Sequence, residues 1–141
     1  MRTLLLVAHI AAAIVLIGPT TFAASVFPRY ASPDGRVVAE AMHRVCRAYG
    51  GASLAVAAVG VALAAQGGFL TQGWVLASLA SFAVAFALLV AVVVPRQARV
   101  LAAIIAGGEA APADLSAMRT GSGLYGLIWL AILVLMVAKP F

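Results

Sequence analysis

Charged residues are scarce in this sequence: they make up 9% of its 141 residues, whereas a soluble domain carries about 25%. Hydrophobic residues make up 65% of the chain, and its mean hydropathy is +1.14. A chain this short cannot bury so much apolar surface in a core of its own. The composition therefore indicates an integral membrane protein. The length suits a single domain, residues 1–141, with four spans of about 20 residues each.

Acidic residues are rarer still: the chain has four, against nine lysine and arginine residues. None of the four lies within an apolar span, which argues against a carboxylate-based proton pump or ion carrier and against a Ser/His/Asp hydrolase. The single cysteine, Cys46, excludes an internal disulfide. No group of cysteines and histidines has the spacing of a metal site.

Four apolar runs are present, at about residues 3–27, 40–65, 72–94 and 121–138, and none alternates as a barrel strand does. We therefore expect an all-α fold, a four-helix transmembrane bundle. Gly18-Pro19 lies inside the first run and predicts a kink there, because proline removes a backbone hydrogen bond. Pro95-Arg96 is expected to end the third helix, and residues 96–105 are expected to form a further helical stretch at the membrane interface.

Basic residues are concentrated in two of the three connections between the runs. The arginines there are Arg29, Arg36, Arg44, Arg47, Arg96, Arg99 and Arg119. Since positively charged loops stay in the cytoplasm, this distribution predicts N-out and C-out topology in a bacterial inner membrane. The first run resembles a secretory signal, but we expect it to be retained, because cleavage would leave the first arginine-rich loop outside. Basic residues placed in loops do not indicate nucleic-acid binding.

His9 lies in the first half of the first span, where an ionisable side chain is costly and indicates function by default. Three interpretations stay open: a hydrogen bond to a neighbouring helix, haem or metal ligation, and a proton relay. The polar side chains expected at similar depth are Gln66, Thr71 and Gln72. His43 lies roughly 24 Å away in depth, at about 1.5 Å per helical residue, so the two histidines cannot share one haem.

Residues 121–126 match the letters of a dinucleotide-binding G-x-G-x-x-G motif but open a membrane helix, without the strand that this motif requires. Their glycines favour close helix contact instead. The same role suits the small residues of the second run, which include Gly50, Gly51, Ser53 and Gly60. This pattern predicts a tight bundle and allows a homo-oligomer or another membrane protein as partner.

The first helix, with His9, Gly18 and the segment 27–30 (FPRY), resembles the opening of the HemJ-type protoporphyrinogen oxidases. The entry to the second helix (42–49, MHRVCRAY) and the end of the chain (137–141, VAKPF) are similar to that family too. The wider group includes CopD-type copper-resistance proteins and small bacterial predicted integral membrane proteins of unknown function. The resemblance implies that His9 is an axial ligand of haem b. Ser78 stands where the oxidases carry an essential lysine, so the match favours the proteins of unknown function.

The sequence thus supports three functions in order. The first is an accessory or packing component of the membrane without catalysis of its own. The second is a membrane redox protein that binds haem b, or an oxidase-like enzyme, through His9. The third is a carrier for copper or another small solute.

Overall fold

The computed structural model describes all 141 residues as helices and short turns. Four long helices follow one another: α1 Arg2–Tyr30, α2 Arg36–Gly67, α3 Gly73–Ile105 and α4 Pro112–Ala138. Each is long and apolar enough to cross a membrane. The all-α, four-helix architecture predicted from the apolar runs is confirmed.

Consecutive helices run in opposite directions, so both termini lie at the same end of the bundle. There, the Arg2 guanidinium lies 5.1 Å from the centre of the Phe69 ring, and the Trp74 amide donates a hydrogen bond to the Phe141 carbonyl at 3.2 Å. We call this the terminal end. The other end carries the turns 31–35 and 106–111 and the arginine-rich helix termini, and we call it the arginine end.

Two helices contain a π-helical turn immediately before a proline. In α1 the turn Ala13–Ile17 precedes Gly18-Pro19, and in α3 the turn Leu89–Val93 precedes Val94-Pro95. A proline ring clashes with the carbonyl four residues earlier and cannot donate to it, and a wider turn accommodates both defects. Both helices therefore continue through their prolines. The prediction that α3 ends at Pro95-Arg96 is wrong, since the helix runs on to Ile105.

Both clusters of buried side chains lie in the half of the bundle nearer the arginine end. One cluster of buried side chains comprises Ala23, Ala24, Cys46, Ala85, Leu89, Val93 and Tyr125. A second, closer to the turns, comprises Phe27, Ala39, Val100, Leu101, Ile104 and Met118. Apolar burial of this kind is what holds the four helices together here.

Towards the terminal end the four helices separate into two pairs. The first part of α1 packs on the last part of α2, and the first part of α3 packs on α4, while the two pairs scarcely touch. The separation leaves an internal space in this half of the bundle.

Candidate functional site

The space between the helix pairs is a cavity of about 600 Å³. All four helices contribute to its wall, and 17 of its 23 lining residues are hydrophobic. Its polar and aromatic members include His9, Ser78, Trp74 and Trp129. A volume of this size with few polar groups is typical of a small-molecule or cofactor site, for which about 300–1,000 Å³ is usual.

His9 lies in the cavity wall and is held by the backbone of α2. Its Nδ1 lies 3.0 Å from the carbonyl oxygen of Val56. Because a carbonyl only accepts, Nδ1 carries a proton, and in the neutral imidazole the lone pair is then on Nε2. Nε2 has no partner in the chain and is not among the buried, unpaired atoms. Among the three interpretations, the hydrogen bond to a neighbouring helix is present, but the prediction of Gln66, Thr71 or Gln72 as its partner is wrong.

Gly60 makes this contact possible. A Cβ atom at position 60 would lie 2.9 Å from Cε1 of His9, closer than carbon atoms approach in folded proteins. The imidazole can therefore rest against α2 only because residue 60 has no side chain. The small residue predicted to allow close helix packing makes room here for the His9 imidazole.

Trp129 contributes its ring to the cavity wall, while its indole nitrogen is buried. Its indole Nε1 is the one buried side-chain nitrogen or oxygen without a hydrogen-bond partner. The ring packs edge-on against Phe82, at 5.8 Å between centroids, and against Tyr125, at 6.2 Å. An unsatisfied buried donor costs about 1–3 kcal/mol. Sequence analysis missed Trp129; the only signal was an indole in the middle of an apolar span.

Ser78 faces the same cavity as His9. Its hydroxyl donates to the carbonyl oxygen of Trp74 at 2.8 Å, one turn back along α3. The side chain is therefore satisfied by its own helix and adds no charge to the site. Ser78 is therefore a neutral part of the cavity wall.

Two positively charged side chains, Arg2 and Lys139, lie at the mouth of the cavity, at the terminal end. Arg2 lies over the Phe69 ring at 5.1 Å, and the ammonium of Lys139 lies 5.9 Å from Phe69 and 5.4 Å from Trp74. Both residues also belong to the cavity wall. An aromatic face attracts a cation through its quadrupole, so the two positive charges are placed beside the opening.

The arginines singled out for topology lie away from the cavity, and four of them pair with carboxylates. Glu40 accepts from Arg36 at 2.7 Å and lies 3.9 Å from Arg44. Asp114 bridges α3 and α4 by pairing with Arg96 at 3.2 Å and Arg99 at 3.3 Å. The remaining ones, Arg29, Arg47 and Arg119, make no such pair.

His43 belongs to a separate polar chain in the packed half. Its Nδ1 donates to Gln97 Oε1 at 3.1 Å, and Gln97 Nε2 donates to the sulfur of Cys46 at 3.4 Å. The thiol lies 3.9 Å from the carbonyl oxygen of Thr20. His43 is therefore half-buried and hydrogen-bonded within the bundle. It is not part of the cavity wall, so the two histidines have different surroundings.

No three His, Cys, Asp or Glu side chains lie close enough together to hold a metal ion by themselves. Any cofactor bound through His9 would have to bring most of its own ligands.

Four apolar helices with the core at one end define a small polytopic integral membrane protein. The chain belongs to the DUF2269 family of predicted integral membrane proteins, whose family model matches residues 3–140. No curated protein and no solved structure matches it. The resemblance to small predicted integral membrane proteins is confirmed, whereas the HemJ and CopD resemblance stays a prediction.

Proposed function

We propose that this protein binds haem b in the cavity between its helix pairs, with His9 as the axial ligand. The observation that carries the proposal is the bond from His9 Nδ1 to the Val56 carbonyl at 3.0 Å. Metal-ligating histidines nearly always donate their other ring nitrogen to such an acceptor, which fixes the tautomer and the ring orientation. Nε2 is then the nitrogen left to coordinate iron.

The cavity wall suits a flat, apolar macrocycle. Trp74, Phe82 and Trp129 provide aromatic surface on the side of α3 and α4, while aliphatic side chains line the side of α1 and α2. Burial of the macrocycle would remove its apolar faces from water, which favours binding by about 25 cal/mol per Å² of apolar surface.

When bound, haem supplies one-electron redox chemistry, and the protein tunes it through the axial ligand and the polarity of the surroundings. The chain's own part is to hold and orient the group and to exclude water. His9 is the one titratable imidazole in the cavity wall, and no carboxylate lies there. We therefore propose binding or electron transfer rather than an acid–base reaction.

Placement in the membrane is part of the same proposal. The arginine end would face the cytoplasm of a bacterial inner membrane, with both termini and the cavity mouth outside. The support is the concentration of arginines at one end of the bundle. A periplasm-active phosphatase fused after Phe141 should be active, and the same reporter inserted at residue 108 should be inactive. The opposite pattern would overturn this orientation.

The experiment for haem is an absorption spectrum of the detergent-purified protein, before and after addition of haem b. We expect a Soret band that is shifted from that of free haem in the wild type and in His43→Gln. In His9→Ala the affinity should fall by at least about tenfold, as expected for loss of a metal-binding contact. His43 is the matched control, because it is the other histidine and lies outside the cavity.

The alternatives give different results in the same samples. A folded, colourless wild type that takes up no haem would contradict haem binding and favour the accessory role. Copper that copurifies in stoichiometric amount, and is lost in His9→Ala, would favour the carrier. Equal haem affinity in the wild type and His9→Ala would contradict the role of His9 as a haem ligand.

A further inference from the structure

We infer that Arg2 and Lys139 form an anion-binding rim, which recognises the carboxylates of an amphiphile whose apolar body fills the cavity. The inference rests on the proposed function for its choice of a tetrapyrrole as the amphiphile. It concerns different residues and a different part of the ligand, so it can fail or hold independently of His9.

The first support is the placement of the two charges. Arg2 and Lys139 come from opposite ends of the chain, yet both lie over the same ring, that of Phe69, at 5.1 and 5.9 Å. Lys139 lies over Trp74 as well, at 5.4 Å. Two like charges repel each other, so their convergence on one aromatic pair favours an anion between or beside them.

The second support is that no acidic side chain lies at this end of the bundle. All four acidic residues belong to the sequence segments of the arginine end: Asp34, Glu40, Glu109 and Asp114. Neither Arg2 nor Lys139 takes part in an ion pair with any of them. No acidic side chain therefore neutralises the rim.

The third support is the backbone of Lys139. It ends α4 in the left-handed conformation, with φ 46° and ψ 56°, and its amide donates to the Leu135 carbonyl at 3.0 Å. Lys139 is the one residue other than glycine with a positive φ. This left-handed C-cap ends α4 in a common way and leaves the ammonium over the Phe69 and Trp74 rings.

The distance in depth between His9 and the rim suits a porphyrin. His9 lies about seven residues along α1 from Arg2, roughly 10 Å at about 1.5 Å per residue. A porphyrin centred at the depth of His9 can therefore direct its propionate side chains to the mouth. The chemistry required of the ligand is an apolar planar body with carboxylates on one edge. Lipid phosphate is the other source of anions at this depth.

The test uses metal-free protoporphyrin IX and its dimethyl ester, because neither needs a histidine–iron bond. The chain has two tryptophans, Trp74 and Trp129, and both line the cavity. Quenching of intrinsic fluorescence therefore reports occupancy of the cavity directly. The protein is full-length, purified in an uncharged maltoside detergent.

We expect the free acid to bind the wild type about tenfold more tightly than the ester, as two partly exposed charge pairs would give. This preference should disappear in Arg2→Gln/Lys139→Gln and persist in Arg2→Lys/Lys139→Arg. The control is Arg29→Gln/Arg47→Gln, which removes the same charge from unpaired arginines at the other end and should keep the preference.

Equal binding of acid and ester to the wild type would overturn the rim, and so would binding of neither. A preference that survives in Arg2→Gln/Lys139→Gln would overturn it as well. If that variant instead loses only copurified phosphatidylglycerol, the two cations are lipid anchors and the inference fails. A preference for the acid in a protein that shows no Soret shift with haem would support the rim and contradict the role of His9.

Discussion

Gly60→Ala tests the arrangement on which the proposed site depends. The added Cβ would lie 2.9 Å from Cε1 of His9, 3.3 Å from Nδ1 and 3.7 Å from Nε2. Ordinary contact begins near 3.4 Å, so the imidazole must move by about 0.5 Å or more. Movement away from α2 lengthens the bond to the Val56 carbonyl, which is now 3.0 Å. Loss of such a bond costs about 0.5–1.5 kcal/mol.

The consequences for binding and for folding differ. Alanine is the better helix former by about 1 kcal/mol, which offsets the lost hydrogen bond, so the melting temperature should change little. The misplaced imidazole should weaken haem binding by about fivefold, equivalent to about 1 kcal/mol. Haem affinity comes from a Soret titration and stability from thermal melting by circular dichroism, both in detergent.

The matched control is Gly51→Ala on the same helix, because a Cβ at that position would meet nothing within 4 Å. The His9→Ala/Gly60→Ala double variant completes the cycle, and it should bind no more weakly than His9→Ala alone. Equal weakening in Gly51→Ala and Gly60→Ala would refute the reasoning, as would a Gly60→Ala effect that persists without His9.

Two further predictions concern the packed half of the bundle. Gln97 is fully buried and bonds both His43 and Cys46, so Gln97→Ala should destabilise the protein by about 2–4 kcal/mol through a cavity and two lost partners. Thermal melting should show a much smaller effect for Gln66→Ala, which is exposed; equal effects would contradict a structural role for the chain of hydrogen bonds. Asp114→Asn removes the ion pairs to Arg96 and Arg99 and should cost about 1 kcal/mol at low salt and less at high salt. Glu109→Gln is its control, since Glu109 forms no pair, and a salt-independent loss in Asp114→Asn would contradict the electrostatic explanation.

The four helices were predictable because each apolar run must satisfy its backbone within one helix in lipid. The effect of Pro95 was not, because the choice between ending a helix and inserting a π turn depends on the residues packed around it. Val93, directly before Val94-Pro95, is fully buried in the core. Burial of Val93 favours continuation of the helix, because it keeps this side chain packed in the core. Such tertiary packing is absent from a prediction based on the proline and its neighbours in the sequence.

The candidate site was predictable only in part. His9 was found from the cost of an imidazole in a membrane span, but its acceptor is a backbone carbonyl, which has no signature in a sequence. The cavity depends on two helix pairs separating at one end, a tertiary property that hydropathy does not encode. Arg2 and Lys139 have no joint signature in the sequence, since their convergence on Phe69 requires the folded termini.

The π turns also bear on how the chain tolerates changes in length. A π turn uses one residue more than an α turn, so the segments 13–17 and 89–93 each hold a surplus residue relative to a regular helix. Deleting one residue normally rotates everything that follows by about 100° around the helix axis. A deletion within 13–17, combined with Pro19→Ala, would instead convert the turn to α-helix and leave both His9 and Thr20 on their present faces. Members of the family that lack a proline at this point are therefore expected to be one residue shorter between those two positions.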